Sequence, residues 1–214
     1  LTNPMIMRCA YSHIVVGRPL RAKDGFAQLP ELRFTADLEI RDHCPQAFER
    51  WCERTQTEWA SVATFVELAK QLLQADAPKY LQKRCLEAAE DELHHAILSG
   101  GLASLLAGKQ LSLKEPLREI RPDLVGEEGL LRLAVESWID GCLGEGIAAK
   151  IAAREATLAA HPTIIATQER IARDEARHAE LAWDILAWTF QEGGEPIKEA
   201  VAALRHHLPP GCST

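Results

Sequence analysis

Two short segments of the chain carry the same set of side chains that can bind a metal ion. The segment DELHH begins at Asp91 and the segment DEARH begins at Asp174, and each places a glutamate three residues before a histidine. Positions i and i+3 lie on one face of a helix, so each pair can hold one metal between a carboxylate and an imidazole. The pairs are Glu92 with His95 and Glu175 with His178.

Both segments fall in predicted helices. The pattern predicts four helices, over about residues 45–75, 78–108, 127–160 and 162–192. Alternating steps of three and four residues follow one helix face, and each such face is apolar with a carboxylate near its middle. The faces are Trp51, Thr55, Glu58, Val62, Phe65, Ala69, Leu72; Leu81, Cys85, Ala88, Glu92, His95, Ser99, Leu102; Leu131, Val135, Trp138, Cys142, Glu145, Ala149, Ala152; and Ile164, Ile171, Glu175, His178, Ala182, Ile185.

These faces would bring four carboxylates and two imidazoles into one core. Burying an unpaired carboxylate costs several kcal/mol, and four of them repel one another. Two divalent cations would neutralise the four carboxylates and use neutral imidazoles as ligands. Carboxylate and imidazole together suit iron or manganese, and zinc can enter the same site. The predicted ligands are Glu58, Glu92, His95, Glu145, Glu175 and His178, with Glu58 and Glu145 completing or bridging the pair.

Other residues near these positions offer alternatives. Glu53 and Glu67 lie near Glu58, but their phases place them off its helix face, as do those of Glu136 and Asp140 beside Glu145. His94 could replace His95 through Asp91-x-x-His94, but it lies off the apolar face. A single Glu-x-x-His on a helix is usually a solvated pair, and it is the repetition that favours a metal site.

Three glycines, Gly141, Gly144 and Gly146, stand inside the third predicted helix, where each costs up to about 1 kcal/mol relative to alanine. Either they allow close packing of helices, or they leave room beside the metals for dioxygen or a substrate. Cys142 is expected to be a small core residue, with a ligand or redox role as the alternative.

The flanking segments complete the fold prediction. Residues 1–44 contain β-branched residues and the turn signal Asp24-Gly25, residues 108–126 form a long crossover, and Pro196 opens a short last helix. We predict an all-α four-helix bundle made of two helical hairpins, with a short N-terminal β-ribbon and a short C-terminal helix. The domains are an N-terminal extension (1–44), the bundle (45–192) and a C-terminal helix and tail (193–214).

The ligand pattern resembles that of the ferritin-like superfamily of carboxylate-bridged di-iron proteins, whose set is Glu, Glu-x-x-His, Glu, Glu-x-x-His. The D-E-x-R-H form is most similar to the oxygen-activating branch. The segment EWASVATF from Glu58 and the segment GRPL from Gly17 resemble an uncharacterised bacterial ferritin-like group, in which a histidine stands at the position of Trp59.

The resemblance also implies an outer set of residues behind the ligands. Asp91 and Asp174 would each bond the ligand histidine of the opposite hairpin and fix its orientation. Arg177 would belong to that network, and His94 takes its place in the other copy.

Composition and charge limit the classes of partner. Lys and Arg number 24 against 31 Asp and Glu, so the net charge of −7 disfavours nucleic acid and anionic membranes. The six cysteines form no C-x-x-C pair, which excludes a zinc ribbon or a rubredoxin-type iron site. We expect reduced thiols and a cytoplasmic protein, with a homodimer as a candidate assembly.

Three functional classes follow. The favoured one is a di-iron (or iron/manganese) oxidase or oxygenase that activates dioxygen, takes electrons from an external donor and oxidises or hydroxylates a small organic substrate. The alternatives are a ferroxidase or another iron- or peroxide-handling protein, and a bundle whose metal is purely structural. Tyr11 and Tyr80 lie off the ligand faces, which argues against a stable tyrosyl radical.

Overall fold

A computed structural model describes residues 26–28, 45–109, 111–114 and 125–204 of the chain. Its helices are α1 (Pro45–Gln74), α2 (Lys79–Ala107), α3 (Gly126–Glu136), α4 (Gly146–Leu158) and α5 (Pro162–Leu204). Two three-residue strands, β1 (Phe26–Gln28) and β2 (Ser112–Lys114), are antiparallel, with Phe26 opposite Lys114. Between α3 and α4 the backbone is π-helical over Ser137–Glu145. The prediction of a mainly helical protein is confirmed, and no described helix is both long and apolar enough to cross a membrane.

The chain forms two compact units. The head unit consists of Leu1–Gln56 and Ile97–Leu117, and the site unit consists of Thr57–Ala96 and Arg118–Thr214. In the head unit, β1 pairs with β2, Trp51 and Thr55 are buried on α1, and Leu102 is buried on α2. The division predicted at residues 44 and 192 stays a prediction.

The site unit is held together by apolar side chains from four helical stretches. One cluster joins residues of α1, α2, α3 and α5, and a second joins α3, the π-helical segment and α5. A bundle therefore fits this unit. The first cluster contains Phe65, Ala69, Leu72, Ala77, Leu81, Cys85, Ala88, Ala89, Leu133, Leu181, Ile185 and Trp188.

The predicted apolar faces agree closely with the observed burial on three of the four helices. Every residue of the α2 face is buried, and Val62 is the one member of the α1 face that is only partly buried. On α5 all are buried except Ile164, which is half-buried. The spacing of apolar residues was therefore sufficient to orient these helices.

The third predicted helix is different, because it is not one regular α-helix. In its first part the buried residues are Gly129, Leu133, Ala134 and Ser137, whereas Leu131 and Val135 of the predicted face are half-buried. A π-helix has i→i+5 hydrogen bonds and more residues per turn, so it shifts the phase of everything before it. Beyond the π-helical segment the predicted face agrees with the observed burial. Before that segment the prediction is about one residue out of phase.

The ends of the chain were predicted less completely. Asp24-Gly25 lies outside the described residues, and the N-terminal ribbon is not supported, because the described strand β1 pairs with the crossover instead. At the other end the helix breaks at Gly194, whose φ of 63° is left-handed, and Pro196 follows as the start of the last helical stretch. The break lies two residues after the predicted end of the fourth helix at residue 192, and residues 205–214 lie outside the described part.

Candidate metal centre

Six side chains that could hold a metal ion converge in the core of the site unit. They fall into two groups of four, and within each group one ligand atom per residue lies within 4.8 Å of all the others. Both groups contain Glu92 and Glu175, so these two glutamates stand between two candidate metal positions. The groups are Glu58, Glu92, His95, Glu175 and Glu92, Glu145, Glu175, His178.

Each helical stretch contributes to this cluster. Glu58 comes from α1, and Glu92 and His95 come from α2. Glu145 is the last residue of the π-helical segment, and Glu175 and His178 come from α5. The spacing of three residues in each Glu-x-x-His places both side chains on the inner face of their helix. All six residues predicted as ligands are brought together.

The cluster is deeply buried and leaves polar atoms without partners. His95 is fully buried, and Glu92 is 1% exposed. Among the described residues, Oε2 of Glu92 and Nδ1 of His95 have no hydrogen-bond partner. Each such atom costs about 1–3 kcal/mol when it is buried without a partner. A cation in contact with these atoms would remove that cost.

The distances around His95 fit a shared ion better than direct hydrogen bonds. Its Nδ1 lies 3.8 Å from Glu58 Oε2, 3.8 Å from Glu92 Oε1 and 3.6 Å from Glu175 Oε1. Two atoms that each bind one ion at about 2.0–2.2 Å stand about 3–4 Å apart. Nδ1 of His95 and the three carboxylates therefore surround a space of the size that a metal ion needs.

The second position has shorter contacts. Nδ1 of His178 lies 3.1 Å from Glu92 Oε1 and 3.2 Å from Glu175 Oε2. The ring of Phe65 packs against the His178 ring with centroids 5.0 Å apart, which covers this imidazole from the α1 side. In both histidines Nδ1 is the nitrogen that faces the glutamates.

The other nitrogen of each histidine meets an aspartate of the opposite hairpin. Nε2 of His95 lies 3.1 Å from Asp174 Oδ2, and Nε2 of His178 lies 3.3 Å from Asp91 Oδ2. When Nε2 carries the proton and donates a hydrogen bond to the aspartate, Nδ1 of a neutral imidazole keeps its lone pair for a metal. The contacts expected of Asp91 and Asp174 are both present.

Arg177 joins the two aspartates. Its Nη1 lies 2.7 Å from Asp174 Oδ1, and its Nη2 lies 2.8 Å from Asp91 Oδ2. The guanidinium is half-exposed, so it closes the outer edge of the network. Burial would raise the pKa of Asp174. The hydrogen bond from His95 and the charges of His95 and Arg177 outweigh burial and lower that pKa to about 2. Asp174 therefore stays a carboxylate at any ordinary pH.

Burial and neighbouring charges set the protonation of the cluster in the absence of metal. Burial raises the pKa of Glu92 to about 8, with the Glu175 and Glu58 charges adding to the shift. Burial and a hydrogen bond to Glu175 raise the pKa of Glu145 to about 10, while the pKa of Glu175 is lowered despite burial by hydrogen bonds from His178 and Glu145. Glu145 and Glu175 thus share a proton that resides on Glu145.

The two imidazoles are the cations of the metal-free cluster. Burial alone would lower the pKa of both, but the nearby carboxylates outweigh it. Asp174 and Glu58 raise the pKa of His95 to about 9, and Asp91, Glu175 and Glu92 raise the pKa of His178 to about 11. Protons therefore supply the positive charge that the glutamates require.

The residues considered as alternatives do not enter the cluster. Glu53 and Asp140 are exposed, Glu67 pairs with Lys70, and Glu136 pairs with Arg132. His94 is half-buried and belongs to neither group of potential ligands. Cys142 is buried, and burial raises the pKa of its thiol to about 12, which makes it a neutral core residue.

Two contributors were missed from the sequence. Arg170 places Nε 3.5 Å from Asp174 Oδ2, a contact that its i,i+4 spacing indicates. The π-helical segment that ends at Glu145 was also missed, because a search for a constant helical period does not show it.

Two of the glycines of the third predicted helix have different surroundings. A Cβ at Gly141 would lie 2.3 Å from Cβ of Ala182, so this glycine permits close packing on α5. A Cβ at Gly146 would have nothing within 4 Å, so open space adjoins the residue that follows Glu145. Close packing of helices therefore accounts for Gly141, whereas room beside the candidate metals stays a prediction.

Comparison with protein-family models, with curated proteins and with solved structures found no match to this chain. What the site shows is a buried cluster of glutamates and histidines that could hold a metal ion.

Proposed function

We propose that this chain is a ferritin-like di-iron protein that activates dioxygen to oxidise or hydroxylate a small organic molecule. The observation that carries the proposal is the pair of overlapping ligand groups that share Glu92 and Glu175. A single structural metal needs one group of four ligands. Two groups with two common carboxylates suit a dinuclear centre bridged by those carboxylates.

The donor set supports iron. Four carboxylates and two imidazoles offer hard oxygen and borderline nitrogen ligands and no thiolate, a combination suited to iron or manganese that zinc can also occupy. Two divalent ions carry the charge that balances four glutamates. Iron bound here would supply Lewis acidity and electrons for the reduction of dioxygen.

The chain's own residues would have distinct roles. Glu92 and Glu175 would bridge, Glu58 with His95 and Glu145 with His178 would complete the two positions, and the aspartates behind the histidines would fix the imidazole rings. Glu145 differs from the other ligands, because it lies in the π-helical segment with open space at Gly146. π-helical turns are frequent at functional sites, and this side is where a small molecule has room to approach.

The test is to load the metal-free protein with Fe(II) without oxygen and then to follow dioxygen consumption and iron oxidation. The proposal predicts uptake of about two Fe(II) ions per chain and, with a reductant present, repeated dioxygen consumption that small aromatic or aliphatic additives alter. Glu136→Ala, which changes a carboxylate outside the cluster, is the matched control and should behave as the wild type.

The outcomes separate the proposal from its competitors. A single round of iron oxidation followed by accumulation of ferric iron, with no turnover, would indicate a ferroxidase. Failure to take up Fe(II), or tight zinc that iron cannot displace and that consumes no dioxygen, would indicate a structural site and would contradict the proposal.

A further inference from the structure

The outer side of α4 is apolar although it is exposed to solvent. Ile147, Ile151 and Leu158 are 48%, 43% and 73% exposed, and Lys150 and Arg154 stand on the same side at helical spacing. These five residues are called the outer face. The opposite side of α4 faces the protein interior, since Ala152 and Ala156 are buried. The outer face therefore combines three exposed apolar side chains with two cations, and such a surface is suited to a partner.

The apolar surface continues beyond α4. Ile139, in the π-helical segment, is 40% exposed, and Trp183 of α5 is 51% exposed. The Trp183 ring meets the ring of Trp138 edge to face, with centroids 5.7 Å apart, so it lies beside that segment. Half-exposed tryptophans are common anchors in protein interfaces.

The charge of the outer face identifies the kind of partner. Lys150 and Arg154 form no ion pair with another described residue. Glu155, the one acidic residue between Ile147 and Leu158, accepts a hydrogen bond of 2.6 Å from Gln168 of α5. The chain as a whole carries a net charge of −7. The net negative charge of the chain would therefore repel an acidic protein from most of the surface. The outer face would attract it, because Lys150 and Arg154 stand there beside apolar side chains.

The outer face also lies close to the glutamate–histidine cluster. Glu145 is two residues before Ile147 on the same helical stretch, and its carboxylate belongs to the buried cluster. A helix with its side chains is about 10–12 Å across. A protein docked on the outer face would stand about one helix diameter from the candidate metals.

We infer that the outer face of α4 is the docking site for an acidic one-electron carrier protein, an inference that rests on the proposed function. Each reduced carrier would give up one electron and leave oxidised. Two carriers would convert two ferric ions to two ferrous ions, the state that reacts with dioxygen. The chain has no C-x-x-C pair that could hold an iron centre of its own for this purpose.

The first experiment measures binding to metal-free protein, with an acidic [2Fe–2S] ferredoxin as the probe and titration calorimetry as the readout. The wild type should bind it, and the affinity should fall as salt is raised. The variant Lys150→Glu/Arg154→Glu should bind about tenfold or more weakly, because both charges are then repulsive. Ile151→Ser should also weaken binding. Lys83→Glu, an exposed reversal on α2, is the control and should bind as the wild type.

The second experiment measures the rate at which reduced ferredoxin reduces iron-loaded protein. The charge-reversal variant should be reduced more slowly by ferredoxin and at an unchanged rate by dithionite, which needs no docking site. Circular dichroism should show that the variants keep the helical content of the wild type. Slower reduction by both reductants would place the effect in the metal centre and would contradict the docking site.

Other outcomes are equally decisive. No ferredoxin binding by the wild type, or equal binding by the charge-reversal variant, overturns the inference. The inference is also overturned if the wild type sediments as a dimer and Ile151→Ser sediments as a monomer, because a second copy of the chain would then cover the outer face. Failure of Fe(II) uptake contradicts the proposed function even where ferredoxin binds, and loss of binding with normal iron uptake contradicts only the docking site.

Discussion

Asp174 lies directly before Glu175 on α5, yet its carboxylate bonds His95 of α2, with 3.1 Å between Oδ2 and Nε2. Asp91 repeats this relationship towards His178 from the other hairpin. Each Asp-Glu pair thus gives one carboxylate to the cluster and the other to an imidazole that belongs to the opposite half. The two halves of the site position each other's histidines.

This exchange predicts that Asp174 controls metal affinity without binding metal. Asp174→Ala should weaken metal binding by about ten- to a hundredfold, because the His95 ring loses its orienting partner. Asp174→Asn, which keeps an acceptor but no charge, should lose less. Competition with a coloured chelator measures the affinity, and Glu169→Ala, an exposed change on the same helix, is the control. Equal affinities for Asp174→Ala and the control would make Asp174 a structural residue only.

Arg177 should act on both halves at once, since it contacts both aspartates at 2.7 and 2.8 Å. Arg177→Met should weaken metal binding less than Asp174→Ala, because each aspartate keeps its histidine. Arg177→Lys should fall between Arg177→Met and the wild type, since one ammonium cannot reach two carboxylates in the planar geometry of a guanidinium. The same chelator competition measures this order, and a lysine variant weaker than the methionine variant would contradict it.

Metal binding should release protons. At pH 7 the metal-free cluster holds them on Glu92 and Glu145, whose pKa values are about 8 and 10, and on His95 and His178, whose pKa values are about 9 and 11. Ligands bind metal in their deprotonated form, so loading should release up to about four protons per chain. Affinity should therefore rise as pH increases from about 6 to 8. Calorimetry in buffers of different ionisation enthalpy counts the protons, and a release near zero would contradict these protonation states.

The glycines of the third helical stretch should respond oppositely to alanine. Gly141→Ala should destabilise the protein by about 1–3 kcal/mol, because its Cβ would lie 2.3 Å from that of Ala182. Gly146→Ala should be neutral or stabilise by up to about 1 kcal/mol, because open space surrounds it. Urea unfolding of the metal-free proteins measures both. Equal effects would mean that the two glycines have the same role.

Much of the site could be predicted from the sequence because the helices around it obey simple periodicity. A buried α-helix must present apolar residues at steps of three and four, so Glu92 and His95 stood out on a face that otherwise runs from Leu81 to Leu102. The same rule located Glu58 and Glu175. Nothing interrupts the period in the parts of those helices that carry the ligands.

Where the period is interrupted, less of the structure could be predicted. The π-helical segment shifts the register before Glu145, so Leu133 and Ala134 are buried in place of Leu131 and Val135. The number of residues per turn depends on tertiary packing, such as the contact of Gly141 with Ala182, and a pattern that assumes a constant period cannot show it. The pairing of β1 with β2 joins residues far apart in the chain, and neither segment carries a local signal for the other.

The shared carboxylates of Glu92 and Glu175 should hold two metal ions together. Equilibrium dialysis of the wild type, Glu92→Ala and Glu136→Ala against Fe(II) without oxygen tests this arrangement. We expect about two ions per chain for the wild type and for Glu136→Ala, and well below two for Glu92→Ala, because both ligand groups contain Glu92. An unchanged stoichiometry in Glu92→Ala, or no binding by the wild type, would contradict it.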